Sequence, residues 1–236
     1  MRLKFYYDNF NCENLIISID GVYSNTNVLH NGTIETSMSL GFYDNSNGIP
    51  LDIHFTGVGK KNNECLSLKE YIVANIDQFK NKTIICDRAY YCYNFFNFLV
   101  ENNINFIIRV RDKADEVEPK KYAKHYKDYV KIKDNTNVGF VTKIFKTTKL
   151  AVEDTNNVNV IEKTTIVKLI TNLSNYDDDK ILELYKSRWD IEEFYKQFKH
   201  NFKFQYLSEH KEENYKKNIY ASLTITVPTR KLVQFL

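Results

Sequence analysis

The chain has 236 residues, 43% hydrophobic and 14% aromatic, which is enough to bury a sizeable core and too apolar for a disordered segment. Its net charge is only +3, so any nucleic-acid surface must come from local clustering of lysines. No signal peptide is legible, and no apolar run approaches the ~20 residues that span a bilayer. The four cysteines (Cys12, Cys65, Cys86, Cys92) have neither zinc-site nor disulfide-framework spacing, which points to reduced thiols in an intracellular protein.

In chain order, residues 14–22 (NLIISIDGV) predict a buried strand that ends at Asp20, with Gly21 opening a turn. Residues 33–44 predict a second strand. The turn DNSNG then leads into a third, Pro50 to Val58, so this pair forms a hairpin. Leu68, Tyr71, Ile72 and Ile76 recur at helical spacing within 64–79. KTIICD at 82–87 is a short strand ending on Asp87; a helix over 91–102 with Phe95, Phe98 and Leu99 inward follows, and then the strand NFIIRVR at 105–111.

This order predicts an α/β layer with a mixed sheet and helices on its faces. From 112 to 175 lysines become frequent, and three β-like runs follow (YVKIK, VGFVTKIF, VIEKTTIVKLIT), which reads as a β-rich insertion. Helices are expected at 177–200 and 210–226, with Pro228 breaking the last. Three segments result: 1–111 as the first part of a core, 112–175 as the insertion, and 176–236 as the helical remainder.

The stretch YKSRWDIEEFYKQFK (185–199) carries the densest chemistry. Tyr185, Arg188, Glu192 and Lys199 are separated by two, three and six residues. On an uninterrupted helix turning ~100° per residue they share one stripe about 60° wide. Beside it run Leu184, Ile191 and Phe198, with Tyr195 between. An ordinary amphipathic helix with an Arg188–Glu192 pair would look the same, at a few tenths of a kcal/mol. Two upstream carboxylates shift the balance. Asp20 and Asp87 each follow an apolar run, where an ionised carboxylate is costly unless it faces out or coordinates something. Singly, Asp20-Gly reads as a turn and Asp87-Arg88 as an ion pair.

Together the two aspartates and Glu192 offer three hard oxygen donors, the set Mg²⁺ takes alongside waters and phosphate oxygens. Two metals ~3.5–4 Å apart serve in-line displacement at phosphorus. Arg188 suits bidentate phosphate contact, Lys199 a point-charge contact, and Tyr185 a hydrogen bond to phosphate or stacking. Trp189 is expected in the core and Glu193 in solvent. The five histidines have no ligand spacing. The lysines of 120–133 form either a solvated face or phosphate contacts.

IDGVYSN (19–25), DRAYY (87–91, continuing to FIIRVR), TNL (171–173) and YKSRWDIEEFYKQFK resemble the insertion-sequence DDE transposases with the Y(2)R(3)E(6)K signature (insertion-sequence family four). The resemblance covers roughly 14 to 225 and implies an RNase H-like core interrupted by a β-rich insertion. It implies that Asp20, Asp87 and Glu192 are the metal-binding catalytic triad, with Mg²⁺ or Mn²⁺ as cofactor. It further implies that Tyr185, Arg188 and Lys199 contact transposon-end DNA, and that the protein works on DNA as a homodimer on paired ends. An insertion aromatic, Phe140 or Phe145, would hold a flipped base. Ala89 departs from the family's usual Gly, at about a kcal/mol if that turn needs positive φ. Only 19 residues precede Asp20, where family members carry a helical DNA-recognition region. A catalytic core, a truncated remnant that only binds DNA, and a non-enzymatic α/β interaction module are the three readings to be separated.

Overall fold

The computed structural model describes residues 15–28, 34–58, 63–110, 141–152, 160–173 and 176–202, together with Lys217 and Ala221. Strands β1 (Ile16–Val28), β2 (Ile34–Asp44) and β3 (Ile49–Val58) form an antiparallel meander. Helix α1 (Glu64–Ala74) and the single turn α2 (Ile76–Phe79) lead into β4 (Thr83–Cys86). Then come a 3₁₀ turn (Arg88–Tyr90), α3 (Tyr93–Glu101) and β5 (Asn105–Arg109). Strands β6 (Val141–Val152) and β7 (Val160–Thr171) precede α4 (Asp178–Lys186) and α5 (Trp189–Phe202).

The seven strands make one sheet in the order β3-β2-β1-β4-β5-β7-β6. β1, β4 and β5 run parallel, and the other pairings are antiparallel. The sheet is mixed, as the element order predicts. The β-like runs of the expected insertion supply β6 and β7, which extend the sheet beyond β5; YVKIK lies outside the described residues. TNL sits where β7 leaves the sheet. There Asn172 Oδ1 accepts from Phe106 N–H at 2.9 Å, and its Nδ2 donates to the Ile104 carbonyl at 3.1 Å, stitching β7 to the start of β5.

Strand alternation divides the core between the two faces. Ile17, Ile19, Leu40 and Phe42 pack against Leu68 and Ile72 of α1 and Phe95, Phe96 and Leu99 of α3. On the other face Ile85, Ile107, Phe145 and Leu169 meet Ile181, Leu184 and Tyr185 of α4. Each fully buried aliphatic or Phe side chain stabilises by about 1.5–3 kcal/mol, so both helix layers are held by their own apolar stripe. Phe145 is spent in this core and is not free to hold a base; Phe140 lies outside the described residues. Among the described residues no helix is long and apolar enough to cross a membrane.

Two boundaries differ from expectation. β1 does not end at Asp20 but continues to Val28, with Asp20 opposite Gly41 and Gly21 opposite Leu40. The antiparallel ladder with β2 supplies hydrogen-bond partners past Gly21, so no turn is needed. The helix expected over 177–200 is two helices with a joint at Ser187–Arg188. Asp177 caps the first, accepting from Lys180 N–H at 2.6 Å. At the joint the ladder tightens to i→i+3: Arg188 N–H donates to the Tyr185 carbonyl at 3.2 Å and Asp190 N–H to the Ser187 carbonyl at 3.0 Å. Ser187 Oγ donates to the Leu184 carbonyl at 2.7 Å, and Asn45 Nδ2, from the β2–β3 turn, donates to the Ser187 carbonyl. Trp189, expected in the core, is 51% exposed because the joint turns it outward at the start of α5.

Candidate active site

The site lies where β4 ends. Ile19 pairs with Cys86, the last residue of β4, and the next residues along the two strands are Asp20 and Asp87. Beyond this point β1 continues paired with β2 alone. The chain after β4 folds into the 3₁₀ turn, and Asp87 Oδ1 caps that turn by accepting from Ala89 N–H at 2.7 Å. Ala89 carries no strain, because the non-glycine residues with positive φ among those described are Asn81 and Asn103. The family's usual glycine is dispensable in this backbone.

Helix α5 reaches the site by docking on β2. Phe194 packs on Tyr43 with ring centroids 5.7 Å apart. The Tyr195 hydroxyl lies against Gly41, filling the space a Cβ would take. Gly41 is the residue opposite Asp20, so one helical turn before Tyr195 brings Glu192 over the same part of the sheet. Asn45 fixes the other end of the arrangement: its Oδ1 accepts from Ser18 N–H at 3.0 Å while its Nδ2 holds the Ser187 carbonyl. A single side chain thus ties β1, two residues before Asp20, to the joint one residue before Arg188.

At the centre is Arg188, only 8% exposed, with Nη1 2.6 Å from Glu192 Oε1. Its guanidinium also lies 5.7 Å from the centre of the Tyr185 ring and 5.9 Å from that of Trp189. Burial alone would lower the affinity of Arg188 for its proton. Tyr185, Glu192 and Asp20 outweigh it and raise its pKa. Asp20 is the least comfortable group: its carboxyl is raised to about 7, chiefly by burial, with Arg188 opposing the rise and Asp87, Glu192 and Glu64 adding to it. Burial likewise raises the Tyr185 phenol, while Arg188 and Arg109 oppose the shift.

The sequence-predicted residues therefore fall into three groups. Asp87 and Glu192 come within electrostatic reach of Asp20, joined by Arg188. Tyr185 is on α4, Arg188 at the joint and Glu192 on α5, so the single uninterrupted stripe predicted from spacing is replaced by a bent one. Lys199 lies on the backbone of α5, with its side chain outside the described residues. Glu64, Asn45 and Gly41 were missed. Only three-dimensional contact singles them out, because each lies in its own segment with no local chemical motif.

Asp20, Asp87 and Glu192 bring carboxyl groups from separate elements, the type of oxygen donor hard divalent cations take, and Arg188 only partly offsets their mutual repulsion. Buried polar atoms without a hydrogen-bond partner adjoin them, namely the hydroxyls of Tyr185 and Tyr90 and Nε of Arg188. As the side chains stand, with Glu192 on Arg188, no three acidic, His or Cys groups among the described residues are grouped closely enough to hold a metal ion.

No curated protein matches the chain. Residues 37–227 match the transposase DDE domain family. That span includes Asp87 and Glu192 and begins after Asp20, which enters the site through its register beside β4. With its RNase H-like mixed sheet and helices on both faces, and with most of its length matched, the chain belongs to the transposase DDE domain family.

Proposed function

We propose that the chain is the catalytic domain of an insertion-sequence DDE transposase that cuts and rejoins DNA phosphodiester bonds at transposon ends. The single observation behind this reading is that Asp87, Glu192 and Arg188 act electrostatically on Asp20, so that three separate stretches of sequence bear on one carboxyl. Asp20, Asp87 and Glu192 are the residues that would hold Mg²⁺, or Mn²⁺ in its place. When bound, such ions supply charge neutralisation at the phosphorus and an activated oxygen nucleophile, first water and then a 3′-hydroxyl.

The protein's own groups do the positioning. Glu192 serves the centre after parting from Arg188. Arg188, with its unpartnered Nε, then takes a phosphate oxygen in the fork geometry guanidinium favours. The Tyr185 hydroxyl donates to the same strand, and Lys199 adds a point charge along α5. Burial of Tyr185 and Arg188 strengthens these contacts by excluding water. The Y(2)R(3)E(6)K membership, the three-segment organisation and a homodimer on paired ends belong to the same proposal.

The test is Mg²⁺-dependent nicking of supercoiled DNA carrying the element's ends, lost in Asp87→Ala and in Glu192→Gln. A second reading, DNA binding without cleavage, draws on the Arg188–Glu192 pair and the absence of a ready ligand set among the described residues. Binding with no cleavage under Mg²⁺ or Mn²⁺ would establish that reading instead.

A further inference from the structure

The contact between Arg188 and Glu192 unites the two groups that the cutting reaction needs apart. Arg188 closes the joint and Glu192 stands one helical turn further on, in the first turn of α5. Nη1 lies 2.6 Å from Oε1, with 9% of the arginine side chain and 27% of the glutamate side chain exposed. The pairs Lys80–Asp77, Lys180–Glu183 and Lys196–Glu193 join side chains that are 44–85% exposed. Exposed pairs of that kind hold weakly, whereas shielding from water makes the Arg188–Glu192 contact the firmer one.

Helix physics alone would not choose this contact. An i,i+4 pair is better with its carboxylate on the N-terminal side, and a cation at a helix start opposes the dipole. What keeps Arg188 there is its surroundings. The guanidinium lies 5.7 Å from the centre of the Tyr185 ring and 5.9 Å from that of Trp189. The backbone beneath is held by the Arg188 N–H bond to the Tyr185 carbonyl at 3.2 Å and by Asn45 on the Ser187 carbonyl.

The guanidinium is nevertheless only partly engaged. Its Nε is buried and makes no hydrogen bond. A phosphate held in fork geometry takes two neighbouring N–H groups at once. Because Nε is buried, an anion reaches that edge only when the side chain swings outward, and this swing breaks the contact with Glu192.

We propose that the Arg188–Glu192 pair is an autoinhibitory latch, opened when a DNA phosphate takes the guanidinium and thereby releases the Glu192 carboxylate toward Asp20 and Asp87. This rests on the DNA-cutting reading above and adds an order of events to it: the strand is held first and the carboxylate is freed second. A closed latch matches the free protein, where no three acidic, His or Cys groups among the described residues are grouped closely enough for a metal ion. Coupling is reciprocal, so Glu192 must weaken phosphate binding by the factor with which phosphate weakens the pair.

The experiment titrates the full chain, free of divalent metal and at one fixed salt concentration, into a labelled short single-stranded DNA oligonucleotide and reads fluorescence anisotropy. Glu192→Gln opens the latch and is expected to bind at least about 5-fold more tightly, the low end of couplings between sites. Glu193→Gln removes the same charge from the adjacent position, where it pairs with Lys196, and is expected to gain clearly less. In an Arg188→Gln background, Glu192→Gln should gain no more than Glu193→Gln does. Equal gains from the two single variants, or a gain by Glu192→Gln that persists undiminished without Arg188, overturn the latch and leave DNA binding standing. If Glu192→Gln does not fold, the wild type decides. Its Arg188 Nε–H nuclear magnetic resonance signal, identified by its loss in Arg188→Gln, is expected to shift on adding the oligonucleotide, and a signal that stays in place overturns the latch. No DNA binding by the wild type overturns both the latch and the reading beneath it.

Discussion

Arg188 Nη1 stands 2.6 Å from Glu192 Oε1, and the same guanidinium is the group that most strongly opposes the rise of the Asp20 pKa. One cation therefore serves two carboxylates in the metal-free protein. It leaves Asp20 undercompensated, with its pKa at about 7 against an ordinary 3.8.

The first consequence is a pH dependence of stability. A carboxyl whose folded pKa is raised binds more protons folded than unfolded between pH ~4 and ~7, so its contribution to stability falls as pH rises through that window. Asp20 should cost the metal-free protein about 2–4 kcal/mol at pH 8 relative to pH 4. Urea unfolding of wild type and Asp20→Asn at pH 5 and 8 checks this. The variant should gain on the wild type as pH rises, and an equal difference at both values would contradict the assignment.

Divalent metal should reverse that cost. At a hundredfold excess over Kd, binding to the folded form alone stabilises by about 2.7 kcal/mol, or roughly 5–10 °C in Tm for a chain of this size. Protons compete for Asp20, so the shift with Mn²⁺ should be larger at pH 8 than at pH 6. It should vanish in Asp87→Asn. Differential scanning calorimetry at the two pH values reads it directly.

Asn45→Ala removes the link between Ser18 N–H and the Ser187 carbonyl. Two lost hydrogen bonds to partly buried backbone groups should cost about 1–3 kcal/mol. Because the joint also aims Arg188 and Glu192, nicking activity should fall at least about tenfold under conditions where the variant remains folded. Full activity in a destabilised variant would show that the joint holds its angle without Asn45.

Gly41→Ala would place a methyl group where the Tyr195 phenol sits. Overpacking there should cost about 1–3 kcal/mol or more and lift α5 from β2. The double variant Gly41→Ala/Tyr195→Ala should lose less than the sum of the single losses, since the two side chains contend for one space. A chemical-denaturation cycle measures the coupling.

Tyr185→Phe deletes a buried hydroxyl whose polar neighbour is the Arg188 guanidinium. Stability should stay level or rise slightly. Affinity for DNA should fall if the hydroxyl meets a phosphate, and the salt dependence of binding should flatten little, because no charge is removed. Unchanged affinity would remove Tyr185 from the DNA surface.

Much of the fold could be read from local pattern. The hairpin of β2 and β3, the short apolar β4 ending before Asp87, and the inward face of α3 follow from residues within a few positions of each other. What escaped reading depended on distant partners. Asp20-Gly21 looks like a turn, yet the strand continues because β2 pairs with it, and the bare backbone there is met by the Glu64 carboxylate, from a different segment. The stretch 184–192 contains no Gly or Pro to announce a break. The joint coincides with a hydrogen bond from Asn45, a residue 142 positions away in the sequence. Trp189 followed from that joint and so could not be placed by helical spacing alone.

The Asn45 bridge also limits how far this fold can be treated as interchangeable parts. A chimera that imported residues 176–202 from a relative would bring the acidic residue and its arginine, but their aim would be left in the recipient's hairpin turn. Such a graft should work only when the donor's counterpart of the β2–β3 turn travels with it, so these two segments form a single unit of exchange despite the length of chain between them.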